Sequence, residues 1–573
     1  MAIGFEQSST LLIPALESMA YDPDITIRLA VAKSLGSFSV YLIQENSEMD
    51  LNQIFDILFK CLSDKGNEVK DAAVVSLISI AELLGSEKIE EILIPRINEL
   101  MENDYEEDCR ALAILLLNKL APVMGPMLTR QHTLPVLENF TNDPVFRVRV
   151  AFVTSMNSLF KIIGMEDTTS ILLPLYLKLS KDEIWTVRKS CAGMIAEISA
   201  FVSEEIRCQE LTPLFHYFST DSSRWVRAAA LSAFGPFIVS FPKPLPADDE
   251  NFNKLISYFC NLANTTDADV ADSENQVFCA FNFPAVLSTF GVKYWPLLQP
   301  TYEGLSQNLQ WKVRRSLAYS LHEVAAILGN EISEVTLVPI FETFLKDLDE
   351  VKVGVIKYLA KFLSVLSMER RKTYTYVLED LLQPPLNWRF RKLIGKQIGD
   401  LACIYDDKTI SNEIMPIVYS LISDPVARVR RAALPQIGKV IVSLESNTEK
   451  RTELLEKIQK LSTSDSYQNR LVFAKICSSA VSVVSNEIFS NYFLKEILLF
   501  AQDKVPNIRV VAAEALLQVS KNEHFSQDPQ VLETIDLLSK DTDQDVLIVL
   551  KVTNAPYNFE PKVPMPPSTS VNV

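Results

Sequence analysis

The sequence predicts an all-α protein built as an α-α superhelix, a solenoid of stacked helix pairs. Three observations support this: a repeat of about 40 residues, a turn motif that recurs with it, and helical spacing of the apolar residues that follow. The motif is clearest over residues 219–237, where Asp221 opens a turn and Val226 and Arg227 begin an apolar helix. One helix pair cannot bury its apolar stripe alone, so its recurrence predicts a stack.

A cation that directly follows an aliphatic residue marks the register of each repeat. It recurs in two series, the first Arg28, Lys70, Arg110, Arg149, Arg188 and Arg227, the second Arg314, Lys352, Arg389, Arg430, Arg470 and Arg509. Gln276 takes the slot between the series and Leu547 takes the last one. The register therefore predicts about 14 repeats.

Each repeat is predicted to contain two helices. Proline often lies near the start of the first helix, where its missing N–H is tolerated. Glycine 15 residues after the cation, as at Gly85 and Gly329, is expected to end the second helix in a left-handed conformation. The aspartate of the turn is expected to cap the second helix, and the cation to pair with an acid of the next repeat. A charged binding surface is the alternative use of these residues.

Breaks in the rhythm suggest domain boundaries. We expect N-terminal repeats over 1–241, a Pro-rich and acidic joint with a degenerate repeat over 242–300, and C-terminal repeats over 301–552. The Pro-rich segment 553–573 is expected to be a flexible tail.

Composition argues against several classes of protein. A net charge of −17 disfavours nucleic acid as a ligand, because phosphate binding needs a basic surface. The N-terminus has no signal-peptide pattern, and without an apolar run of 18 residues no membrane span is expected. Eight scattered cysteines without a C-x-x-C motif are expected to be reduced, buried side chains of an intracellular protein.

No pattern of catalytic, cofactor-binding or metal-ligating residues is visible, so we expect a protein that is not an enzyme and has no cofactor. The dipeptide His322-Glu323 is the one candidate metal pair, but a metal site needs more ligands than it supplies. A structural histidine is therefore the favoured interpretation.

Tryptophans cluster just before the register cation. Trp185, Trp225, Trp311 and Trp388 are all placed at turns, and Trp388 is placed in the aliphatic slot itself. Aromatic side chains at exposed turns favour partner binding, while packing over the adjacent turn remains the alternative. Trp185, Trp225 and Trp311 are candidates for a ridge that binds a second partner.

Four segments, 219–241, 309–329, 337–359 and 387–398, closely resemble the regulatory subunit 1 family of protein phosphatase 4, and the resemblance extends over nearly the whole chain. The 40-residue repeat resembles HEAT repeats, and the chain is more distantly similar to the scaffold A subunit of protein phosphatase 2A. Larger family members carry a long acidic insertion, whereas here only the short stretch 240–276 occupies that region. The resemblance implies a non-catalytic HEAT-repeat subunit that binds a Ser/Thr phosphatase catalytic subunit and positions phosphoprotein substrates, in the cytoplasm and nucleus.

The resemblance also implies where the catalytic subunit binds. In the 2A scaffold it lies on the turns of the last five repeats, which here span about 370–552. A Trp-Arg turn in the scaffold matches Trp388 and Arg389. The other turn residues carried over as candidate contacts are Arg391, Arg428, Arg430, Tyr467, Asn469, Arg470, Pro506 and Asn507.

Three other functions stay open. They are a scaffold A-type subunit of protein phosphatase 2A, a HEAT-repeat transport or coat adaptor, and a solenoid enzyme. The adaptor is disfavoured because such solenoids usually run longer and would not share these turns, and the enzyme because the His-Glu pair occurs once.

Overall fold

The computed structural model of the chain describes residues 8–44, 48–102, 107–241, 250–263, 275–382 and 387–552. Within these ranges the regular structure is helical and no strand occurs. The helices stack as pairs, so the predicted all-α solenoid is confirmed. The chain divides into two compact units, Met1–Asn308 and Leu309–Val573.

The N-terminal unit alternates first helices, several of them interrupted by a π-helical or 3-10 turn, with mostly longer second helices. The first helices are Ser8–Leu12 with Ile13–Met19, Glu48–Leu62, Ser86–Lys88 with Ile89–Leu93 and Ile94–Met101, Thr129–Thr133 with Leu134–Val136 and Leu137–Thr141, Thr168–Leu172 with Leu173–Leu179, Glu204–Ile206 with Arg207–Leu211 and Thr212–Ser219, Glu250–Ala263, and Val292–Tyr294 with Trp295–Ser306. The second helices are Ile25–Gln44, Asn67–Leu84, Glu107–Leu128, Phe146–Asp167, Trp185–Ser199, Arg224–Val239 and Asn275–Phe290.

The C-terminal unit follows the same alternation, but several of its second helices are split. The second helices are Trp311–Leu328, Asp349–Lys357 with Leu359–Val365, Trp388–Gly395 with Ile398–Cys403, Ala427–Ala433 with Leu434–Gln436 and Ile437–Ser443, Tyr467–Ala480, Pro506–Val519 and Gln544–Val552. The first helices are Asn330–Ile332 with Ser333–Leu337 and Val338–Phe344, Met368–Lys372 with Thr375–Asp380, Asp407–Thr409 with Ile410–Ile414 and Met415–Ile422, Thr448–Gln459, Asn486–Phe489 with Ser490–Leu494, Lys495–Leu499 and Phe500–Gln502, and Pro529–Leu538.

Second helices of successive repeats pack against one another within each unit. The helix Arg224–Val239 packs between Trp185–Ser199 and Asn275–Phe290. Its buried face follows the three-and-four spacing of the sequence and includes Val226, Ala230, Ala233, Phe234 and Phe237. Burying this stripe against the neighbouring repeat drives the stacking.

A π-helical turn precedes many of the first helices. In the three examples Pro95, Pro174 and Pro416, proline is the second residue of the helix that follows directly after such a turn. Proline has no N–H, and its ring crowds the carbonyl four residues back, so the helix widens there. The expected position of proline is confirmed, while the wider turn was not predicted.

Glycines end several second helices as the spacing predicted. Gly85, Gly125, Gly164, Gly291 and Gly329 have φ between 73° and 82°. A side chain at such φ values is strained, which explains the glycines. Gly85, Gly291 and Gly329 lie at helix ends, whereas Gly125 and Gly164 kink the helices Glu107–Leu128 and Phe146–Asp167.

Gly164→Ala is expected to lower the free energy of unfolding by about 1–3 kcal/mol. Its φ is 78°, and nothing lies within 4 Å of an added Cβ, so the effect comes from backbone strain alone. Gly193, inside the helix Trp185–Ser199, is the matched control. Its Cβ position is equally open, and alanine there is expected to stabilise by about 0.5–1 kcal/mol. Urea denaturation measures both, and equal stability of the two variants would contradict the strain.

A ladder of ion pairs joins successive turns within each unit. Arg188 donates from Nε and Nη2 to the two carboxylate oxygens of Asp221, at 2.7 and 2.9 Å. Its Nη1 donates to the backbone carbonyls of Asp182 and Glu183 in its own turn. Asp221 also accepts the N–H of Ser223 at 2.8 Å, within the turn that precedes the helix Arg224–Val239. The predicted inter-repeat pair is confirmed. The predicted cap is wrong, because that helix begins after Ser223 and no side chain caps its first turn.

The same two-bond geometry recurs along the ladder. The other pairs are Arg28 with Asp64, Arg110 with Asp143, Arg149 with Asp182, Arg314 with Asp347, Arg391 with Asp424, Arg470 with Asp503, and Arg509 with Asp541. Gln276 holds the predicted intermediate slot, and its side-chain oxygen accepts a bond from Asn308 at 2.7 Å. An amide pair therefore replaces the ion pair in the degenerate repeat.

Hydrogen bonds from the paired arginine hold the pKa of Asp64, Asp347 and Asp541 below the usual value. Because the folded pKa is the lower one, these pairs stabilise the fold above the ordinary aspartate pKa. Their contribution is lost as the pH falls below about 4 towards the folded pKa.

The cysteine prediction is confirmed for most positions and wrong for Cys403. Cys61, Cys109, Cys191, Cys279 and Cys477 are buried, and Cys208 and Cys260 are partly exposed. Cys403 is exposed, because it is the last residue of a short helix whose buried face is formed by Ile398, Leu401 and Ala402.

The expected absence of a membrane span is not confirmed. Three stretches, Ile25–Ile43, Glu107–Thr141 and Phe146–Leu179, are long and apolar enough to cross a membrane by length and composition. The predicted joint at 242–300 falls partly, and the tail at 553–573 entirely, outside the described residues. The four predicted domain ranges remain proposals.

Candidate partner-binding turns

Most of the candidate contact residues hold one of two positions that recur from turn to turn. The first residue of the second helix, three before the ladder position, is Trp185, Trp311, Trp388, Tyr467 or Pro506. The second residue of that helix is Trp225, Arg389, Arg428 or Asn507. Side chains here stand at the entrance of each second helix, where neighbouring turns present equivalent positions.

The structure corrects the register of the turn 387–391. Arg391, and not Arg389, pairs with Asp424, at 2.6 Å from Nε. Phe390 fills the apolar slot and is 1% exposed, so Trp388 does not occupy that slot. Trp388 instead begins the helix, as Trp185 and Trp311 do. The bulk and burial of Phe390 determine this register.

Trp388 lies close to two guanidinium groups from consecutive turns. The guanidinium carbon of Arg389 lies 5.3 Å from the indole ring centre, and that of Arg428 lies 5.8 Å from it. Asn387 fixes the start of the helix by accepting the N–H of Arg389 at 3.1 Å. Trp388 is partly exposed, and both arginines are exposed. We call these three residues the Trp388 cluster. It presents a flat aromatic group with two positive charges to solvent.

The later turns carry smaller exposed groups. Tyr467 is 46% exposed, and Pro506 and Asn507 are exposed at the equivalent turn of the following repeat. Asn469 is also exposed, and its amide donates to the Ser464 hydroxyl at 3.0 Å. Tyr467 and Pro506, like Trp388, are each the first residue of the second helix of their repeat.

The candidate arginines differ in their surroundings. Arg391 and Arg470 belong to the ladder, and their side chains are only 13% and 10% exposed. These two hold the turns in position. Arg430 instead donates Nη1 to the carbonyls of Asp424 and Pro425, and no carboxylate pairs with it among the described residues.

The tryptophans of the possible second ridge divide between the two units. In the N-terminal unit, Trp185 and Trp225 lie at consecutive turns and are 39% and 48% exposed. Arg224 and Lys189 lie over the Trp225 ring, at 4.5 and 5.9 Å. Trp311, in the C-terminal unit, is less exposed. Use of this ridge by a second partner remains a proposal.

His322 is buried in the helix Trp311–Leu328. Its ring stacks on Tyr358 with centres 4.1 Å apart, while Glu323 points to solvent. No group of three His, Cys, Asp or Glu side chains suited to a metal occurs in the described part of the chain. The favoured interpretation of a structural histidine agrees with this packing.

His322→Phe is expected to make stability less dependent on pH. Burial, with help from Lys361, lowers the pKa of His322 to about 4. An unfolded histidine titrates near 6.5, so the unfolded chain binds a proton between these values that the folded chain does not. The free energy of unfolding therefore falls as pH drops from about 6.5 to 4, and phenylalanine removes this loss while keeping the stack.

Urea midpoints of the wild-type protein and His322→Phe at pH 7 and pH 5 check this. The exposed His524, changed to glutamine, is the control and should retain the wild-type pH dependence. An equal loss in His322→Phe and wild type would contradict the prediction.

Comparison with known families gives two matches. A HEAT repeat model matches residues 12–42, and the model "Protein phosphatase 4 regulatory subunit 1 middle domain" matches residues 279–381. The chain is therefore similar to HEAT repeats near its N-terminus and to regulatory subunit 1 of protein phosphatase 4 in its middle part. The second match begins in the helix Asn275–Phe290 and ends before the Trp388 cluster.

Curated relatives carry the same description. The chain is 33% identical over 305 residues to serine/threonine-protein phosphatase 4 regulatory subunit 1 of Rattus norvegicus, covering 51% of this chain and 32% of that protein. It is 31% identical over 344 residues to the Homo sapiens protein, covering 58% and 36%. Regulatory subunit 4 of Mus musculus is 25% identical over 298 residues, covering 48% and 34%. The chain spans about a third of the length of these relatives.

Solved structures share the fold. Importin beta superposes with a TM-score of 0.60 at 13% identity, covering 96% of this chain and 78% of that one. The karyopherin Kap121p, in its complex with the SUMO protease Ulp1p, gives 0.56 at 14% identity, covering 95% and 62%. At such low identity these matches show the helix-pair solenoid alone.

Proposed function

We propose that this chain is a non-catalytic regulatory or scaffold subunit of a Ser/Thr protein phosphatase 4 complex. The observation that carries the proposal is its similarity to relatives named regulatory subunits of that phosphatase, together with the matched middle domain. Helix-pair stacks of this kind supply surface and spacing, which is what a regulatory subunit contributes.

The proposed contact for the phosphatase catalytic subunit is centred on the Trp388 cluster. Tryptophan and arginine dominate the energy of many protein interfaces, because each buries a large area and places a directional group. The two arginines already lie near the ring, so little side-chain entropy remains to be lost on binding. Tyr467, Pro506 and Asn507 extend this contact along the later turns.

Tethering is the proposed mechanism. Catalytic subunit and phosphoprotein substrate held on one frame meet at an effective concentration in the millimolar range, without any change in the active site. The partner ridge at Trp185 and Trp225 is the proposed position for a substrate or third subunit. Cytoplasm and nucleus are the proposed compartments.

The alternatives are separated by the comparisons. The transport receptors share the fold at 13–14% identity, whereas the phosphatase subunits share sequence at 31–33%. The phosphatase function is therefore favoured over a transport adaptor. A protein phosphatase 2A-type partner is the second candidate, since the Trp-Arg turn resembles its scaffold.

Affinity purification of the tagged chain, read by mass spectrometry, tests the proposal. A protein phosphatase 4 catalytic subunit near one-to-one stoichiometry is expected. Recovery of only the 2A catalytic subunit would shift the assignment to that complex. Recovery of transport cargo and no phosphatase would overturn the proposal.

A further inference from the structure

The turn before Arg470 has a serine where most turns of the ladder have an aspartate. The position six residues before the register position is aspartate in most of the described turns, namely Asp22, Asp64, Asp143, Asp182, Asp221, Asp424, Asp503 and Asp541. Asn308 holds it in the turn paired with Gln276. In the turn before Arg470 the same position is Ser464.

The Arg430 side chain makes the same bonds within its own turn as Arg188, whose other donors bind the residue at this position of the next turn. Its Nη1 donates to the Asp424 and Pro425 carbonyls at 2.6 and 3.2 Å, as Nη1 of Arg188 does in its own turn at 2.8 and 3.0 Å. In Arg188 the other two donors, Nε and Nη2, bind the aspartate of the next turn. In Arg430 these two donors have no carboxylate partner in the described structure, because the next turn supplies a serine.

Ser464 takes the aspartate's place in its own turn as well. Its hydroxyl accepts the N–H of Ser466 at 3.3 Å, as the Asp503 carboxylate accepts the N–H of Val505 at 2.8 Å. The Ser464 side chain therefore accepts the same turn hydrogen bond as the aspartate does, but without the charge. Thr463, Asp465 and Ser466 beside it are exposed, so the turn is open to an enzyme.

We propose that Ser464 is a phosphorylation site and that its phosphate completes the ladder by binding Arg430. A Ser/Thr kinase transfers the γ-phosphoryl group of MgATP: the Oγ–P bond forms, the bond from Pγ to the bridging oxygen breaks, ADP leaves, and the Oγ proton passes to the kinase base. The phosphoserine carries about −1.5 to −2 charges at pH 7 and three acceptor oxygens. A guanidinium binds such a group through two parallel bonds, so the free Nε and Nη2 donors are matched.

The consequence is a switchable link between two repeats. When Ser464 is unmodified, no ladder ion pair joins the turn that contains Arg430 to the turn that contains Arg470 in the described structure. Phosphorylated, they are joined by a charge-assisted pair next to the N-terminus of the helix Tyr467–Ala480, which also favours an anion. This link does not require the proposed phosphatase contact.

The modification is tested first. The full chain is expressed in eukaryotic cells under phosphatase inhibition, and the tryptic peptide 461–470 is examined by mass spectrometry. Phosphate on Ser464 is expected. A peptide found only unmodified, or modified only at other residues, would overturn the assignment of the site.

Variants of the full chain test whether a negative charge at position 464 binds Arg430. Ser464→Asp is expected to raise the thermal midpoint by about 2 °C and to slow amide exchange in the first turn of the helix Tyr467–Ala480 at least about threefold. Full-length protein with phosphoserine installed at 464 should do the same. Thr463→Asp, which adds the same charge one residue away, is the control and should do neither.

Arg430→Gln decides whether the pair is the cause. In the Arg430→Gln protein, Ser464→Asp and phosphoserine should no longer raise the thermal midpoint or slow amide exchange. No gain in the wild-type background, or a gain that persists without Arg430, would overturn the proposal.

Discussion

Trp388→Ala combined with Arg389→Ala is expected to weaken binding of the protein phosphatase 4 catalytic subunit by at least about 2 kcal/mol, roughly a 30-fold rise in Kd. The two side chains supply the aromatic face and one of the charges of the Trp388 cluster. Both lie in the first turn of a helix whose buried residues are Phe390, Ile394 and Gly395. The fold should therefore survive the change, and calorimetry with the purified catalytic subunit measures the loss.

The matched control is Trp311→Ala with Lys312→Ala. These residues hold the same two helix positions in another repeat of the C-terminal unit, so this variant should bind the catalytic subunit normally. Circular dichroism should show unchanged helicity in both variants. Full binding by the 388/389 variant would place the contact elsewhere on the chain.

Arg428→Ala alone is expected to produce a smaller loss in the same assay. Its guanidinium comes from the next turn, and its central carbon lies 5.8 Å from the centre of the same ring. Comparing the triple variant with the separate changes would measure the coupling between the two turns.

Asp221→Ala is expected to lower the free energy of unfolding by about 3 kcal/mol. The change leaves the Arg188 guanidinium, whose side chain is 11% exposed, without its carboxylate. It also removes the acceptor of the Ser223 N–H in the turn before the helix Arg224–Val239. Urea denaturation followed by circular dichroism measures the loss.

Asp221→Asn separates the two contributions, because asparagine keeps an oxygen that can accept the Ser223 N–H and removes the charge. Its loss should be clearly smaller than that of alanine. Asp536→Ala removes an exposed pair with Lys540 and should change stability very little. Equal losses from Asp221→Ala and Asp536→Ala would show that the ladder does not stabilise the fold.

The fold was predictable because its information is repeated. Aspartate, aliphatic residue and cation return at nearly constant spacing, so the turns and the inter-repeat pairs followed from the pattern. Gln276 lies 15 residues before Gly291, the spacing that separates the cation from the glycine in other repeats. Its bond to Asn308 agrees with this placement.

The site was harder to predict because its turn contains two arginines. In residues 387–391 both Arg389 and Arg391 follow an apolar residue, and tryptophan was mistaken for the buried one. Spacing contained the answer, since Arg391 lies 39 residues from both Lys352 and Arg430. Which of the two aromatics is buried depends on packing between repeats, and Phe390 is the one that fits.

Ser464 was missed for a different reason. An aspartate, Asp465, directly follows it, so the turn still contains an acid although the ladder position is one residue earlier. Aligning every turn on the residue six before the cation reveals the substitution. The π-helical turns left no comparable signal, because proline at a helix start is ordinary in an α-helix as well.

Each ladder arginine contacts two turns at once, its own through Nη1 and the next through Nε and Nη2. This determines where segments can be exchanged with related chains. A crossover placed inside a first helix keeps every arginine with the carbonyls of its own turn and requires only an aspartate at the start of the imported piece. A crossover between the turn aspartate and the cation instead separates the arginine from the backbone carbonyls that its Nη1 contacts. Duplication and recombination of such genes are therefore expected to leave their boundaries inside first helices.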